Sequence, residues 1–468
     1  MPSRVSFNAV IFLTISIGLS ACGGGSSALS VPSVASTGDH HKTGSTPIQH
    51  IVLMVQENRT FNNLFATFPG TTGTITGLQR TGTGKNAKTI TVNLTEVPLK
   101  EKRNLNHLYV SYHTAYRNGN MDAFNLIKFA TNGLPEGDRP YVYVNPTAVQ
   151  PYWTIASQYG IADMMFQTQG SGSFTAHQDL IRGGTEIDPT ESLVDDPTTS
   201  QAWGCNSPVG ATTHLITTKL VYEKKKRGPY PCTSHFPSSG SNYLTLADLF
   251  ATGGITWKYY APPDVLGGSG ALWNGFAVIN SIYNNPSEWS EHVVSPPQQI
   301  IKDAKNGKLA QMSWVIPDGN DSDHPAYNSD KGPSWVAQVV NGIGQSPEWS
   351  STAIIVVWDD WGGFYDEVPP PKLDKQGGPG FRVAMIVASP YVPANEISHT
   401  VYGFGSIIRF IEENWNLGSL GTTDATSTSI ANMFDFTQKP RKFKIISAKY
   451  SQAFFLHQKP SNLPVDNQ

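Results

Sequence analysis

The stretch Ile354-Ile-Val-Val-Trp-Asp-Asp-Trp-Gly-Gly-Phe-Tyr-Asp-Glu-Val-Pro-Pro-Pro371 decides the fold. Four consecutive β-branched apolar residues read as a strand buried on both faces, as in a sheet covered by helices. The run ends at two adjacent carboxylates, Asp359 and Asp360, followed by a Gly pair and a proline run. Ligands of open α/β sheets bind beyond the carboxyl ends of the strands, where two acids can turn toward one hard cation. Alternation along a strand would aim neighbours to opposite faces, so joint use of both acids requires the strand to end at Asp359. The competing reading is an Asp-Gly turn with solvated acids.

Composition bounds the rest. A chain of 468 residues with formal charge −3 fits one large α/β domain with insertions, or such a domain plus a cap. Charge so near zero gives no electrostatic case for nucleic acid or an anionic membrane surface, and no nucleic-acid partner is expected. Abundant Gly and Pro with few charged residues point to a loop-rich exported protein.

The N-terminus agrees. Arg4 is followed by a short apolar run over 10–19 and by Leu19-Ser-Ala-Cys22, then Gly23-Gly-Gly-Ser-Ser. Leu-Ser-Ala-Cys resembles a bacterial lipobox, which implies a signal peptide over 1–21, a lipidated Cys22 and a flexible tether over 22–45. The expected location is an exported bacterial lipoprotein, periplasmic or on the cell surface, tied to the membrane by its lipid. An ordinary signal peptide cut near Ala21 is the alternative. Cys205 and Cys232 remain as a pair, and a disulfide between them in an oxidising compartment would contribute about 3 kcal/mol. Free buried thiols are the alternative.

Ile48-Gln-His-Ile-Val-Leu-Met-Val55 reads as a second buried strand, and Gln56-Glu-Asn-Arg-Thr-Phe-Asn-Asn-Leu-Phe65 follows it. Glu57 offers a carboxylate and Asn58 an amide oxygen to a cation, although Asn and Thr after a strand also start helices. Residues 57–65 resemble the Glu-Asn-Arg-Ser-Phe-Asp-Asn-Leu-Phe signature of the bacterial phosphoesterase family that holds nonspecific phospholipases C and a class of acid phosphatases. Trp358 to Asp366 resembles that family's second signature. The resemblance runs from about 48 to 440. It implies an α/β fold whose core, a central, largely parallel sheet flanked by helices, is like that of alkaline phosphatases, with a cap or lid insertion. It also implies a hydroxyl nucleophile assisted by one divalent metal ion, which the ligand set leaves open among Ca, Mg, Mn and Zn.

Further residues follow from the same resemblance. His107 is the better candidate between the two strands, while His113 and Asp122 read equally as structural polar groups. The loop Phe166-Gln-Thr-Gln-Gly-Ser-Gly-Ser-Phe-Thr-Ala-His177 runs into a helix-like stretch from Ala176 to Arg182. Aligning Phe174 and His177 places the nucleophile at Ser173, with His177 on the substrate. Gly172, Thr175 and Ala176 depart from the family pattern, so Ser171 and Thr175 remain alternatives. The segment 184–268, with its basic run Lys224 to Arg227, is expected to be an insertion or lid. Asn280-Ser281 stands where the family often ends in a His. Ser322-Asp-His-Pro325 makes His324 the anion ligand or leaving-group acid, and Gly403-Phe-Gly-Ser406 replaces an Asp-His pattern before the last helix. Residues 46–440 are expected to form the catalytic domain and 441–468 a C-terminal tail.

The resulting expectation is a metal-dependent phosphoric ester hydrolase. Glu57, Asn58, Asp359, Asp360 and Ser173 hold the metal, Ser173 attacks, and His107 and His324 bind the phosphate or protonate the leaving group. The slight preference is an acid phosphatase on phosphomonoesters. Phospholipase C action on phosphodiesters and a surface binding protein that has lost catalysis are the alternatives. Lipidation of Cys22 predicts that the mature protein partitions with membranes and that Cys22→Ser releases it or leaves it uncleaved. An acyl-free mature N-terminus found only in the soluble fraction by mass spectrometry overturns that reading.

Overall fold

In the computed structural model the described residues are 44–463, apart from 101, 198–202, 209, 219–221, 224–242, 266–267, 372–377 and 462. Cys22, Cys232 and the basic run 224–227 lie outside them. The strands of the central sheet are β1 (His50–Gln56), β2 (Gly160–Phe166), β3 (Trp257–Tyr260), β4 (Val293–Val294), β5 (Met312–Val315), β6 (Thr352–Trp358), β7 (Arg382–Ala388), β8 (Glu396–Ser398) and β9 (Tyr402–Gly403), with the runs read at 48–55 and from 354 becoming β1 and β6. They form one sheet in the order β4-β3-β5-β1-β6-β7-β2-β8, with β9 also on β2. β7 runs antiparallel to β6 and β2, and every other pairing is parallel.

This topology brings the carboxyl ends of β1, β2, β5 and β6 to one edge. In the β1–β6 register, Gln56 pairs with Trp358, so both strands end together and Glu57 and Asp359 emerge side by side. The four residues Ile354 to Val357 are fully buried, each such side chain contributing about 1.5–3 kcal/mol over its exposed state. Helices flank the sheet: α1 (Phe61–Phe65), α2 (Tyr109–Tyr116), α3 (Gln150–Gln158), α4 (Ser173–Arg182), α5 (Gly332–Gly344) and α6 (Phe404–Trp415). α3 packs on α5, and α4 on α6. No helix among the described residues is long and apolar enough to cross a membrane.

Two expectations change in detail. Within 184–268, Glu186–Asp188, Glu191–Val194, His214–Thr217 and Tyr222–Glu223 form a separate antiparallel sheet, but Trp257–Tyr260 is a strand of the central sheet. Its alternation of aromatic residues around Lys258 hides a buried strand from a reading based on aliphatic runs. In the segment after 440, expected as a C-terminal tail, the described residues include some that pack on the domain. Ile446 and Phe455 are buried, and the Asn341 side chain on α5 both donates to the Ile446 carbonyl (2.9 Å) and accepts from its N–H (2.8 Å).

The loop after β5 is built on buried polar contacts. Asp321 is fully buried and accepts from Gln458 Nε2, 3.0 Å from each carboxylate oxygen. Burial pushes its pKa up to about 7, against the opposing hydrogen bond from Gln458. A carboxyl whose pKa is raised on folding contributes stability below its unfolded pKa and loses it as pH rises through the folded one. The amide of Asp321→Asn is neutral throughout; its oxygen keeps the bond from Gln458 Nε2, and its NH2 meets Gln298 Oε1, buried without a partner, once that side-chain amide turns over. Asp321→Asn is therefore expected to raise the thermal midpoint little at pH 4 and most at pH 8. A benefit that shrinks with rising pH in parallel thermal scans would contradict this.

Candidate active site

Three loops leave the sheet at the shared edge and converge. Asn58 sits in the left-handed region at φ 60°, an uncommon conformation for a residue other than glycine. Its backbone N–H donates to Asp359 Oδ1 at 2.8 Å, which ties the two signatures together. Gly362 passes so close that a Cβ there would lie 2.1 Å from the Asn58 carbonyl oxygen, and its own φ is +59°, so the first glycine of Trp-Gly-Gly has no substitute. Its N–H donates to Asp360 Oδ1 at 2.7 Å. The other oxygen, Asp360 Oδ2, accepts from Ser173 Oγ at 3.0 Å.

That contact separates the three candidate hydroxyls. Ser171 Oγ lies 2.6 Å from Thr175 Oγ1 and accepts from the Asp195 N–H. Thr175 Oγ1 also donates to the Gly172 carbonyl. Both are spent on the loop itself. Ser173 is the first residue of α4, three residues earlier than the sequence places the helix. Gly172 is extended at φ −84°, close to the range proline would impose, so the loss of the family's proline leaves the path of the loop intact.

His177 is one turn along α4 from Ser173 and therefore on the same face. It was expected on the substrate. Its Nε2 faces the acids, 3.0 Å from Glu57 Oε1 and 3.8 Å from Asp359 Oδ2. Burial lowers its pKa to about 4 despite the charge of Asp359. Burial and then the charge of Asp359 raise Glu57 well above the usual carboxylate range. Both shifts oppose charge separation, so this contact is a hydrogen bond and not an ion pair, with the donor set by the tautomer of His177. The i, i+4 spacing of Ser173 and His177 was the sequence signal for this placement.

Glu57, His177 and Asp359 each offer a ligand atom, and these atoms lie within 4.8 Å of one another. The group is closed off from solvent, with Glu57, Asp359 and Asp360 fully buried. Asp360 is also raised well above its ordinary value, by burial and then by Asp359. Among the described residues, Glu57 Oε2, Asn58 Oδ1, Asp359 Oδ2 and His177 Nδ1 are buried without hydrogen-bond partners. Such orphaned atoms cost about 1–3 kcal/mol each. Buried like charges and the unsatisfied carboxylate oxygens of Glu57 and Asp359, beside His177, fit a divalent cation.

The remaining imidazoles have opposite polarity. His107 Nδ1 donates to the Leu105 carbonyl at 2.8 Å, and its Nε2 accepts from Asn58 Nδ2 at 2.9 Å. His324 Nδ1 accepts from the Ala326 N–H at 3.1 Å, which leaves the proton of the neutral ring on Nε2. The rings are 6.5 Å apart, and His324 stacks on Trp273 at 5.8 Å. Asp122 pairs with Arg117 and His113 packs against Tyr109 and Tyr112, so both are structural. Ser281 lies exposed on the short helix Asn280–Tyr283. Gly403 donates its N–H to Ser406 Oγ at 3.0 Å, capping α6.

Comparison with known proteins places this geometry. The model of the Phosphoesterase family matches residues 48–418. The chain belongs to this family. The non-hemolytic phospholipase C of Pseudomonas aeruginosa is 24% identical over 439 residues, covering 81% of this chain but only 55% of that protein. This chain therefore spans about half the length of that relative. Phospholipase C B of Mycobacterium tuberculosis is also 24% identical, covering 85% of this chain and 80% of its own length. A protein of the alkaline phosphatase superfamily from Vibrio parahaemolyticus aligns with a TM-score of 0.33 and 12% identity over 82% of this chain and 72% of its own. Membership of this family supports a hydrolase acting on phosphoester bonds.

Replacing a crowded acid separates metal binding from packing. Glu57→Gln and Asp359→Asn are expected to lower Mn²⁺ affinity at least about 10-fold by titration calorimetry, yet to raise the thermal midpoint of metal-free protein by removing buried repulsion. Unchanged affinity in both variants would remove the metal cluster.

Proposed function

We propose that the chain is a metal-dependent phosphodiesterase of the phospholipase C type with Ser173 as its nucleophile. The observation that carries this reading is the contact of Ser173 Oγ with Asp360 Oδ2, 3.0 Å, at the first turn of α4. Held by Glu57, His177 and Asp359, with Asn58 and Asp360 beside them, a divalent cation would supply charge compensation and Lewis-acid polarisation of the phosphoryl group.

The protein groups supply the rest. Asp360 is positioned to take the Ser173 proton as Oγ attacks phosphorus, and its buried setting makes it a better base than a solvated carboxylate. The backbone N–H groups opening α4 face the charge gathering on the phosphoryl oxygens. As the leaving oxygen separates from phosphorus, the Nε2–H of His324 hydrogen-bonds to it and stabilises its charge, and it leaves with a proton from solvent. His107 receives the Asn58 amide and holds it beside Asp360. Water then attacks the phosphoserine, its proton passing to solvent, and Ser173 leaves with the proton that Asp360 returns to it.

The preference for a diester rests on charge. Three buried carboxylates against one divalent cation leave a net negative site, and among the described residues no Lys or Arg is hydrogen-bonded to them. A monoanionic diester is less repelled there than a dianionic monoester. The relatives named phospholipases C support the same choice, shifting the balance from the monoesterase favoured by sequence alone. Export, lipidation of Cys22 and a Cys205–Cys232 disulfide remain part of this proposal.

Two substrates separate the readings. Turnover of p-nitrophenylphosphorylcholine is expected to exceed that of p-nitrophenyl phosphate at least about 10-fold in kcat/KM. The reverse order would make the protein a monoesterase, and turnover of neither would support the binding-protein reading. In rapid-quench mass spectrometry the phosphoryl group should appear on Ser173, and Ser173→Ala should lower the rate at least about 10³-fold. Label on Ser171 or Thr175 would refute the assignment.

A further inference from the structure

The His324 loop is held from two sides. On the inner side, Gln56, the residue before Glu57, accepts from the Asp323 N–H at 3.0 Å and donates to the Asp321 carbonyl at 3.3 Å. The Asp323 carboxylate accepts from Tyr152 Oη and Trp358 Nε1, each at 2.9 Å. These contacts belong to the strands and helices of the core. On the outer side the loop meets a distant segment of chain. Gln458 Nε2 donates to both oxygens of Asp321 at 3.0 Å, and the Ser461 N–H donates to Asp318 Oδ2 at 2.9 Å.

That segment is itself anchored. Its short helix Gln452–His457 buries Phe455 against Trp335 of α5, with ring centroids 5.5 Å apart. The Tyr450 carbonyl accepts from Gln338 Nε2 at 2.8 Å. The segment thus grips the body of the domain at Phe455 and reaches past it to the loop three residues before His324.

We propose that residues 451–461 are a positioning strap of the active site, in which Gln458 and Ser461 fix the 318–324 loop so that His324 meets the leaving group. This rests on the reading of His324 as the hydrogen-bond donor to the leaving oxygen. The strap touches no reacting atom. It acts through the loop, because the carboxylate of Asp321 is held by Gln458 while its carbonyl is held by Gln56 beside the metal cluster.

The test uses the full chain loaded with Mn²⁺, p-nitrophenylphosphorylcholine as substrate, and two variants: Gln458→Met, which keeps the side-chain volume without the N–H, and a chain ended after His457, which keeps the Phe455 anchor. Each should lower kcat about 10-fold while KM stays within about 2-fold. Mn²⁺ affinity should not change. Adding Gln458→Met to His324→Ala should cost nothing further, since groups acting through one another are not additive. If His324→Ala alone turns over normally, the reading of His324 fails and the strap falls with it. If His324→Ala is impaired but Gln458→Met and the shortened chain are fully active, or the double variant shows the product of both losses, the strap proposal alone is overturned.

Discussion

Everything at the catalytic edge depends on crowding three carboxylates into a dry space. Glu57, Asp359 and Asp360 are fully buried, and the protein surrounds them with a neutral imidazole, an amide, a hydroxyl and backbone N–H groups. Burying unpaired charges is among the largest costs a fold can carry. The sheet is what makes it tolerable, because two long buried strands fix both acid-bearing loops before either has a counter-charge. The raised affinities for protons at Glu57 and Asp360 and the orphaned oxygens express the same constraint.

The fold was legible wherever its strands are aliphatic. The run ending at Trp358 and the requirement that the strand stop before Asp359 appear in the structure as read. So does β1, shifted by a residue or two at its ends, where hydrogen bonding to neighbours sets the boundary. Trp257–Tyr260 was missed because an aromatic strand with a central lysine lacks that pattern. Its assignment depends on pairing with Met312 to Val315, which no local window contains. The packed segment after 440 was missed for a related reason: its anchors are isolated residues, Ile446 and Phe455, without periodicity.

Of the candidate site, the residue set was legible and the division of labour was not. Glu57, Asn58, Ser173, His107, Asp359 and Asp360 do converge. Choosing among Ser171, Ser173 and Thr175 needed hydrogen-bond partners, since all three are small hydroxyls in one loop. His177 changed company because helix phase, not sequence proximity to Ser173, decides which loop it meets. The different proton positions on His107 and His324 follow from what each Nδ1 faces, a carbonyl or an N–H, and sequence carries no trace of that.

The N–H of Asn58 and the carboxylate of Asp359 are 301 positions apart in the chain. Contacts of such separation close late, after the entropy of the long intervening loop has been overcome. No partly folded chain can therefore present the complete cluster, because one half of it waits on the last major strands to pair. A cation that recognises only the finished arrangement stabilises the native state without assisting the route to it. Its effect on the kinetics belongs to the escape from the native state: it slows unfolding and leaves the rate of folding unchanged.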